Sequence, residues 1–309
     1  MSAEESEQVE KKTVSQRAID ILRKFLMTGV ITWLLVCVML VFLETTLIYP
    51  APKFPIGNWS PDFAHEDVDF ESGDGTKLHG WLMRSEATAE RHFLVCHGNG
   101  EHTAYCSSYL GQRLRDHFNA NVFVFDYRGY GKSEGTPHEA GIKKDGEKAM
   151  EVFCEKVGTK PENVIVVGSS LGGAIATHIA STKGCKALIL QRTFDSMVNV
   201  AANKYPIFPI RLLIQNRYES FEALKKYDGP VFQSHGKNDH IVPIEHGEKL
   251  FKATQHENSE FTAIPGIGHN DPLPISYWEA LQEWLHKICL LYTSPSPRDL
   301  STSRMPSSA

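Results

Sequence analysis

Three side chains in this sequence have the types and spacing that acyl transfer at a carbonyl group requires. Ser170 is the centre of Gly168-Ser-Ser-Leu-Gly172, which follows the apolar run 163–167 and precedes a run of small residues. This order predicts a strand, a sharp turn and a helix, with the serine hydroxyl lifted above a sheet. Gly168 and Gly172 would leave room for the strand and the helix to close around the turn. The turn, a nucleophile elbow, is therefore predicted to present Ser170 as a nucleophile.

A serine hydroxyl is a weak nucleophile unless a base accepts its proton and an acid orients that base. Asp239 and His269 follow the serine in that order, and each comes just after an apolar run that reads as a strand. Catalytic groups of parallel sheets gather at the carboxyl ends of the strands. We therefore predict a triad of Ser170, Asp239 and His269. Asp271, which lies close to the histidine, is the rival acid.

The same chemistry needs two N–H donors for the negative charge that forms on the attacked carbonyl oxygen. The backbone amide of Leu171, at the start of the helix after the serine, is predicted to supply one. The second is expected from the loop His97-Gly-Asn-Gly100, which follows a predicted strand. Asn99 is the first candidate in this loop, and Gly100 is the second.

The sequence predicts neither a metal site nor a nucleic-acid partner. Its six cysteines include no Cys-x-x-Cys pair. His97, His235 and His240 lack the accompanying ligands of a zinc site, so we expect them to be structural or loop residues. The net charge of −5 gives no electrostatic attraction to nucleic acid. The predicted triad chemistry requires no cofactor.

The elements that must position these residues follow an α/β pattern. Between about 68 and 288, short apolar runs alternate with helical patterns, which is typical of a mostly parallel sheet with helices on both faces. The predicted strands are 68–72, 77–83, 92–97, 121–127, 163–169, 187–192, 230–235 and 261–265, and the predicted helices lie near 102–118, 139–157, 171–182, 244–254 and 275–288. The turn Gly73-Asp-Gly75 predicts a hairpin between the first two strands, and so an antiparallel edge.

The segment 195–229 separates two predicted strands and is rich in Tyr, Phe, Ile and Pro. It is long for a plain connection, so we predict that it forms a small lid over the site. The alternative is a helix that only covers the face of the sheet. We refer to 195–229 as the lid segment.

Ahead of the hydrolytic domain, Phe25–Leu43 is a run of nineteen residues without a charged side chain. This length suits one helical crossing of a bilayer. We predict an N-terminal tail at 1–24, a transmembrane signal-anchor helix at 25–43 and a linker at 44–67. The alternative is a cleaved signal peptide, although such peptides have a shorter apolar core and a cleavage site with small residues.

Charges on the two sides of this run predict its orientation. Five basic residues precede it, whereas only Lys53 follows closely. The positive-inside rule then places the N-terminus in the cytosol and the domain in the lumen of the endoplasmic reticulum or outside the cell. The only glycosylation sequon, Asn58-Trp-Ser60, falls on the predicted lumenal side.

The last segment, 289–309, is rich in Ser and Pro and has no apolar periodicity. Its beginning, from Cys289 to Asp299, matches an in-frame translation of a sequencing-library adaptor. We therefore expect a non-native tail, and exclude it from arguments about function. The alternative is an ordinary disordered C-terminus.

Five motifs together resemble the α/β-hydrolase superfamily, and within it the membrane-anchored α/β-hydrolase domain-containing serine hydrolases. They are His97–Gly100, Asp126–Gly135, Gly168–Gly173, His235–Asp239 and Gly268–Asn270. The resemblance covers about 68–288 and implies the α/β-hydrolase fold, with an eight-stranded sheet and the same triad. It also implies glycerolipid, lysophospholipid or thioester substrates. Ser169 departs from the family, which often has His, Arg or Gln there, and this leaves the substrate preference open.

The sequence thus predicts a membrane-anchored serine hydrolase that cleaves carboxylic esters. Because the anchor would confine the site near lipid, an acyl lipid of the monoacylglycerol or lysophospholipid type is the expected substrate. Two alternatives stay open. One is a thioesterase that acts on acyl-protein or acyl-CoA through the same triad, and the other is an anchored interaction protein that keeps the fold without catalysis.

Overall fold

An eight-stranded, mostly parallel sheet forms the centre of the fold. The computed structural model describes residues 3–293, and the side chains of residues 16–289. The strands are β1 (Glu66–Glu71), β2 (Lys77–Met83), β3 (Arg91–Cys96), β4 (Ala120–Phe125), β5 (Val164–Ser169), β6 (Ala187–Gln191), β7 (Val231–Gly236) and β8 (Glu260–Ile264). Their order in the sheet is β1-β2-β4-β3-β5-β6-β7-β8. Strand β2 pairs antiparallel with β1 and β4, and the other pairs are parallel. The predicted fold class is confirmed, including its antiparallel edge.

Helices lie on both faces of this sheet. The helices described in the chain are α1 (Ala3–Ile48), α2 (Thr103–Cys106), α3 (Gln112–Phe118), α4 (Glu139–Val157), α5 (Leu171–Lys183), α6 (Met197–Lys204), α7 (Ile210–Leu213), α8 (Ser220–Leu224), α9 (Ile244–Phe251) and α10 (Ile275–Thr293). A π-helical turn, Ser107–Gly111, joins α2 to α3, and a 3₁₀ turn, Pro161–Asn163, precedes β5. Helix α10 extends into the first residues of the predicted tail, of which 294–309 lie outside the described residues.

The central strands β3, β4, β5 and β6 are mostly apolar because both of their faces are covered. In β5, Val164 and Val166 belong to the apolar layer beneath α4 and α5. Ile165 and Val167 point the other way, into the layer shared with α10. This alternation follows from the two-residue repeat of a strand, and burial on both sides removes the polar positions that a half-exposed strand would show.

Helix α1 is longer than the predicted membrane segment and is not separate from the domain. Its apolar stretch, Gln16–Ile48, is long enough to cross a membrane by length and composition. The helix continues five residues past Leu43, where the prediction ended it. Glu44 is buried, and its carboxylate accepts hydrogen bonds from the backbone amides of Gln215 (3.0 Å) and Asn216 (2.7 Å). The C-terminal half of α1 is therefore bound to the lid segment.

The lid segment contains α6, α7 and α8, and Asp195 fixes its beginning. The buried Asp195 carboxylate lies 2.6 Å from His246 Nδ1 and accepts a hydrogen bond from Lys249 Nζ, also at 2.6 Å; Asn199 Nδ2 donates to it as well. Burial raises the pKa of Asp195, but the hydrogen bonds from His246, Lys249 and Asn199 outweigh burial and lower the pKa to about 2. The ionised carboxylate thus joins the start of the lid segment to α9.

Replacing Asp195 by Asn should destabilise the protein at pH 7. A carboxyl group with a lowered pKa stabilises the folded state above its unfolded pKa of about 4, and this contribution is lost as the pH falls through 2. Asp195→Asn should lower the thermal midpoint at pH 7 by about 2–6 °C, and the difference from wild type should shrink below about pH 4. The control is Asp228→Asn, an exposed position in the same segment. A pH-independent difference would contradict the assigned role.

Candidate active site

Ser170 occupies a sharp turn between β5 and α5. Its backbone has φ 52° and ψ −119°, a conformation that costs a non-glycine residue of the order of 1–3 kcal/mol. Two contacts with the end of β6 and the residues just after it hold Ser170 in place: the Ser170 amide donates to Gln191 C=O (2.8 Å), and Thr193 Oγ1 donates to Ser170 C=O (2.8 Å). The end of the neighbouring strand therefore stabilises the strained turn.

The two elbow glycines are required by close packing, since neither has a positive φ. A Cβ atom on Gly168 would lie 2.3 Å from Gly172 C=O, and one on Gly172 would lie 2.0 Å from Cys96 C=O. Cys96 pairs with Gly168 in the register of β3 and β5. The serine turn is thus pressed against the loop that follows β3, where the second oxyanion donor was predicted.

This packing gives a test of the turn. Gly172→Ala should lower the free energy of unfolding by about 3 kcal/mol or more, because the new methyl group would overlap backbone atoms that cannot move aside. Gly100→Ala, in the adjacent loop, is the matched control: its Cβ would have no heavy atom within 4 Å. Thermal and urea unfolding of the three proteins measure the difference. Equal stability of the two variants would contradict the described packing.

His269 and Asp239 lie in the loops after β8 and β7 and converge on Ser170. His269 Nε2 lies 2.9 Å from Ser170 Oγ, and its Nδ1 lies 2.6 Å from Asp239 Oδ2. With the ring proton on Nδ1 shared with the carboxylate, Nε2 is free to accept the serine proton. Asp271 Oδ2 instead accepts a hydrogen bond from the Gly268 amide (2.7 Å). Among the described residues, Asp239 rather than Asp271 contacts the imidazole.

Asp239 is held as an ionised acid. Its side chain is fully buried, and Oδ1 accepts hydrogen bonds from the amides of Ile241 (3.0 Å) and Val242 (2.8 Å). Burial raises the pKa of the Asp239 carboxyl, but hydrogen bonds from His235, His269 and Val242 outweigh burial and hold the pKa below its usual range. A carboxylate that stays charged can fix the imidazole tautomer and stabilise an imidazolium.

His235 supports the acid of this site, a contact that the sequence did not indicate. We expected a structural or loop histidine, and its Nε2 lies 3.3 Å from Asp239 Oδ2, the oxygen that His269 also contacts. The same nitrogen lies 2.8 Å from Val242 C=O. The available signal was its position in β7, four residues before the acid. His235 therefore helps to hold Asp239 in place.

The predicted oxyanion donors line the same cavity as Ser170 and His269. Within the described part of the chain, neither the Leu171 amide nor the Asn99 amide donates to another residue, so both can serve a ligand. The Asn99 side chain is fixed from two sides: Nδ2 donates to Ile48 C=O at the end of α1, and Oδ1 accepts from Tyr130 Oη (2.6 Å). Helix α1 thus contacts the loop that carries the predicted second donor.

Arg192 is a further site residue that the sequence did not reveal. It follows β6 directly, has φ 51°, and its amide donates to Ser234 C=O (2.9 Å). Its Nη1 donates to His269 C=O, and the side chain lines the cavity. The arginine therefore supports the histidine loop from the neighbouring strand end. The contact joins residues 77 positions apart, which a local motif cannot indicate.

The triad opens into a large apolar cavity of about 1210 Å³, above the range of about 300–1,000 Å³ that is usual for small-molecule sites. Its walls include the loops that carry Ser170 and His269, the lid segment and α1, together with residues between 98 and 113 and Trp278 of α10. The lid segment contributes Met197, Val200, Tyr205, Phe208, Ile210, Leu213 and Ile214, and α1 contributes Val36, Leu40, Val41, Glu44, Leu47 and Ile48. The cavity has the size and the lining to enclose a long aliphatic group.

The sheet is doubly wound, the serine lies at a strand–helix turn, and the histidine and the acid lie at later strand ends. This combination defines a hydrolase of the α/β class. A protein family described as the alpha/beta hydrolase fold matches residues 91–218. An uncharacterized protein of Mycobacterium tuberculosis is 34% identical over 231 residues, which cover 74% of this chain and 81% of the relative. The chain belongs to the α/β-hydrolase family, which confirms the resemblance seen in its motifs.

Two further similarities agree with this assignment. The alpha/beta hydrolase domain-containing protein WAV2 of Arabidopsis thaliana is 26% identical over 276 residues, covering 82% of this chain and 87% of WAV2. The esterase Pf2001 of Pyrococcus furiosus superposes with a TM-score of 0.61 at 18% identity, covering 77% of this chain and 97% of the esterase. At this low identity, the esterase structure supports the fold alone.

Proposed function

We propose that this protein is a membrane-anchored serine hydrolase that cleaves carboxylic esters of acyl lipids. The observation that carries the proposal is the hydrogen-bonded series from Ser170 Oγ to His269 Nε2 (2.9 Å) and from His269 Nδ1 to Asp239 Oδ2 (2.6 Å). It lies at one wall of the apolar cavity. A nucleophile, a base and an orienting acid in this arrangement are the requirement of acyl transfer through serine.

In the proposed mechanism, His269 Nε2 takes the hydroxyl proton as Ser170 Oγ bonds to the ester carbonyl carbon. The carbonyl electron pair moves to oxygen, which accepts hydrogen bonds from the Leu171 and Asn99 amides. When the intermediate collapses, the alcohol leaves with the proton from His269 and an acyl-serine remains. Water then attacks the acyl group, gives its proton to His269, and the carboxylic acid leaves as Ser170 regains its proton. Asp239 stabilises the imidazolium in both steps.

The cavity lining supports an acyl lipid as the substrate. Apolar side chains from the lid segment and from α1 surround the space next to Ser170, and burying each methylene of an acyl chain there gains about 0.8 kcal/mol. The lid segment would thus act as a cover over the acyl group. A monoacylglycerol or a lysophospholipid has one acyl chain and an ester next to a polar head, so its chain could lie in the apolar cavity with the ester at Ser170.

The contacts of α1 support an uncleaved anchor over a signal peptide. Buried Glu44 binds the backbone at 215–216, and Asn99 binds Ile48 C=O, so removal of α1 would open the cavity and release the oxyanion loop. The basic residues before the apolar stretch favour a cytosolic N-terminus and a domain in the lumen or outside the cell.

Protease treatment of sealed microsomes tests this topology. An epitope at the N-terminus should be removed by added protease, while the domain should be protected until detergent opens the membrane. The N-terminal epitope and the domain should also stay on one polypeptide, as immunoblotting with both antibodies would show. Digestion of the domain in intact microsomes, or separation of the epitope from it before protease is added, would contradict the proposed anchor.

Fluorophosphonate labelling tests the nucleophile. Wild-type protein in membranes should be labelled, and Ser170→Ala and His269→Ala should not be, because the label reacts with an activated serine. Asp239→Asn should lower ester hydrolysis by about 10³–10⁴-fold, since the imidazole loses its orienting charge. The matched control is Ser169→Ala, the preceding serine, which should still be labelled.

Two outcomes would contradict the proposal. Labelling that survives in Ser170→Ala would place the nucleophile elsewhere. Failure to label folded wild-type protein would favour an anchored interaction protein without catalysis. Matched oxygen and thio esters distinguish the remaining alternative, because a thioesterase would turn over the thio ester faster at equal chain length.

A further inference from the structure

The wall of the cavity contains part of the segment that is predicted to lie in the membrane. Val36, Leu40 and Val41 line the cavity beside Ser170, and all three fall within the predicted span, Phe25–Leu43. The buried positions of α1 recur at helical spacing, and Cys37 and Glu44 lie on the same face as the lining residues. An anchor that served only as a tether would have no such face. With Phe25–Leu43 in the membrane, as proposed above, one helix at most would separate the active-site cavity from the bilayer.

The lid segment extends along α1 in the direction of the membrane. Trp33 Nε1 donates a hydrogen bond to Ile207 C=O (3.1 Å), in the loop between α6 and α7. Leu43, the last residue of the predicted span, is ten residues after Trp33. At a rise of 1.5 Å per residue, the loop therefore lies about 15 Å from that end of the span, in the direction of the N-terminus of α1. Helix tilt reduces this depth to about 10–15 Å, which is within one leaflet of a hydrocarbon core about 30 Å thick.

The surfaces next to this contact are apolar and exposed. In the lid segment, Ile207 is 71% exposed and Leu212 is 86% exposed, and on α1, directly after Trp33, Leu34 is 50% exposed and Leu35 is 64% exposed. Large apolar side chains grouped in this way mark a surface that binds another apolar phase. Lys204 and Arg211 flank the loop, and their long side chains allow the charges to extend toward the headgroups.

We propose that a membrane lipid enters the cavity sideways from one leaflet, between α1 and the α6–α7 loop. The acyl chain would pass along Val36 and Leu40, and the ester would reach Ser170 without the chain crossing water. This entrance deepens the proposed function and rests on it. It also assigns a role to α1 beyond anchoring, since the helix forms one side of the substrate path.

Two hydrogen-bonded contacts hold α1 in this place. Glu44 accepts from the amides at 215 and 216, which fixes the helix to the far end of α7. Asn99 donates to Ile48 C=O, which fixes the end of the helix to the oxyanion loop. The side of the entrance that α1 forms is therefore fixed. The α6–α7 loop forms the other side, and Trp33 contacts it by one hydrogen bond. This loop must therefore move for an acyl chain to enter.

The test uses the full chain in phospholipid nanodiscs. Leu40→Trp fills the cavity wall, and Met39→Trp places the same side chain on the exposed face of the same helix as the control. Two substrates are compared, a long-chain monoacylglycerol in the bilayer and a water-soluble acetyl ester. Leu40→Trp should lower kcat/KM at least tenfold more for the long-chain ester than for the acetyl ester. Met39→Trp should change neither.

Ile207→Asp provides a second variant that does not depend on repacking, because this side chain is mostly exposed. A charge at the bilayer-facing loop should reduce long-chain hydrolysis selectively, again without changing acetyl-ester turnover. Equal effects of Leu40→Trp on both esters, or equal effects of Met39→Trp and Leu40→Trp, would overturn the lateral entrance. If wild-type protein hydrolyses neither ester and takes no label, the proposed function fails and the entrance fails with it. If the wild-type protein is labelled normally and the variants affect both esters equally, only the lateral entrance is refuted and the proposed function stands.

Discussion

The strained position of Ser170 is the constraint on which the rest of the site depends. A serine with φ 52° is held there by hydrogen bonds with Gln191 and Thr193, at a point where β5, α5 and the loop after β3 meet so closely that Gly168 and Gly172 cannot carry a side chain. The parallel order of β5, β6, β7 and β8 then brings the chain ends after these strands to the same edge of the sheet. This order also explains the roles of three residues at the end of β6 or just after it. Gln191 and Thr193 support the serine turn, and Arg192 supports the histidine loop.

The electrostatics of the site depend on the same geometry. Asp239 is buried, yet its carboxylate is bonded by two backbone amides and lies beside two histidines, so the charged form is favoured where it can act on the ring of His269. This arrangement connects the fold to the proposed acyl transfer. It also explains why the acid lies in a tight turn after β7, where unpaired amides are available to bind it.

Much of this arrangement could be predicted from the sequence. The bounds of β2 and α4 match the predictions, and the other strands differ by a few residues at most, because two-residue and helical repeats are local signals. The three candidate residues Ser170, Asp239 and His269 could be selected since each directly follows a strand in a known order. Local signals do not report contacts between distant segments. For this reason the packing of α1 on the lid segment, the Asn99–Ile48 hydrogen bond and the support from Arg192 and His235 were not foreseen.

The attachment of α1 changes how the domain relates to its apolar helix. The sequence predicted a span, a linker and a hydrolase domain, and did not indicate that the apolar helix, which is exposed along one side, also forms part of the cavity wall. Such an arrangement suits a substrate that is itself dissolved in a bilayer. The acyl chain would pass from the lipid into the cavity with little exposure to water, so its apolar surface would stay buried.

The most direct test of the central claim is to identify the acyl-enzyme. Wild-type protein in nanodiscs would be mixed with a long-chain activated ester, quenched in acid within milliseconds to seconds, digested and analysed by mass spectrometry. One acyl group is expected on the peptide that contains Ser170; it should appear before steady-state turnover and be absent in Ser170→Ala. An acyl group on another residue, or turnover of the ester without any acyl-protein adduct, would contradict that claim.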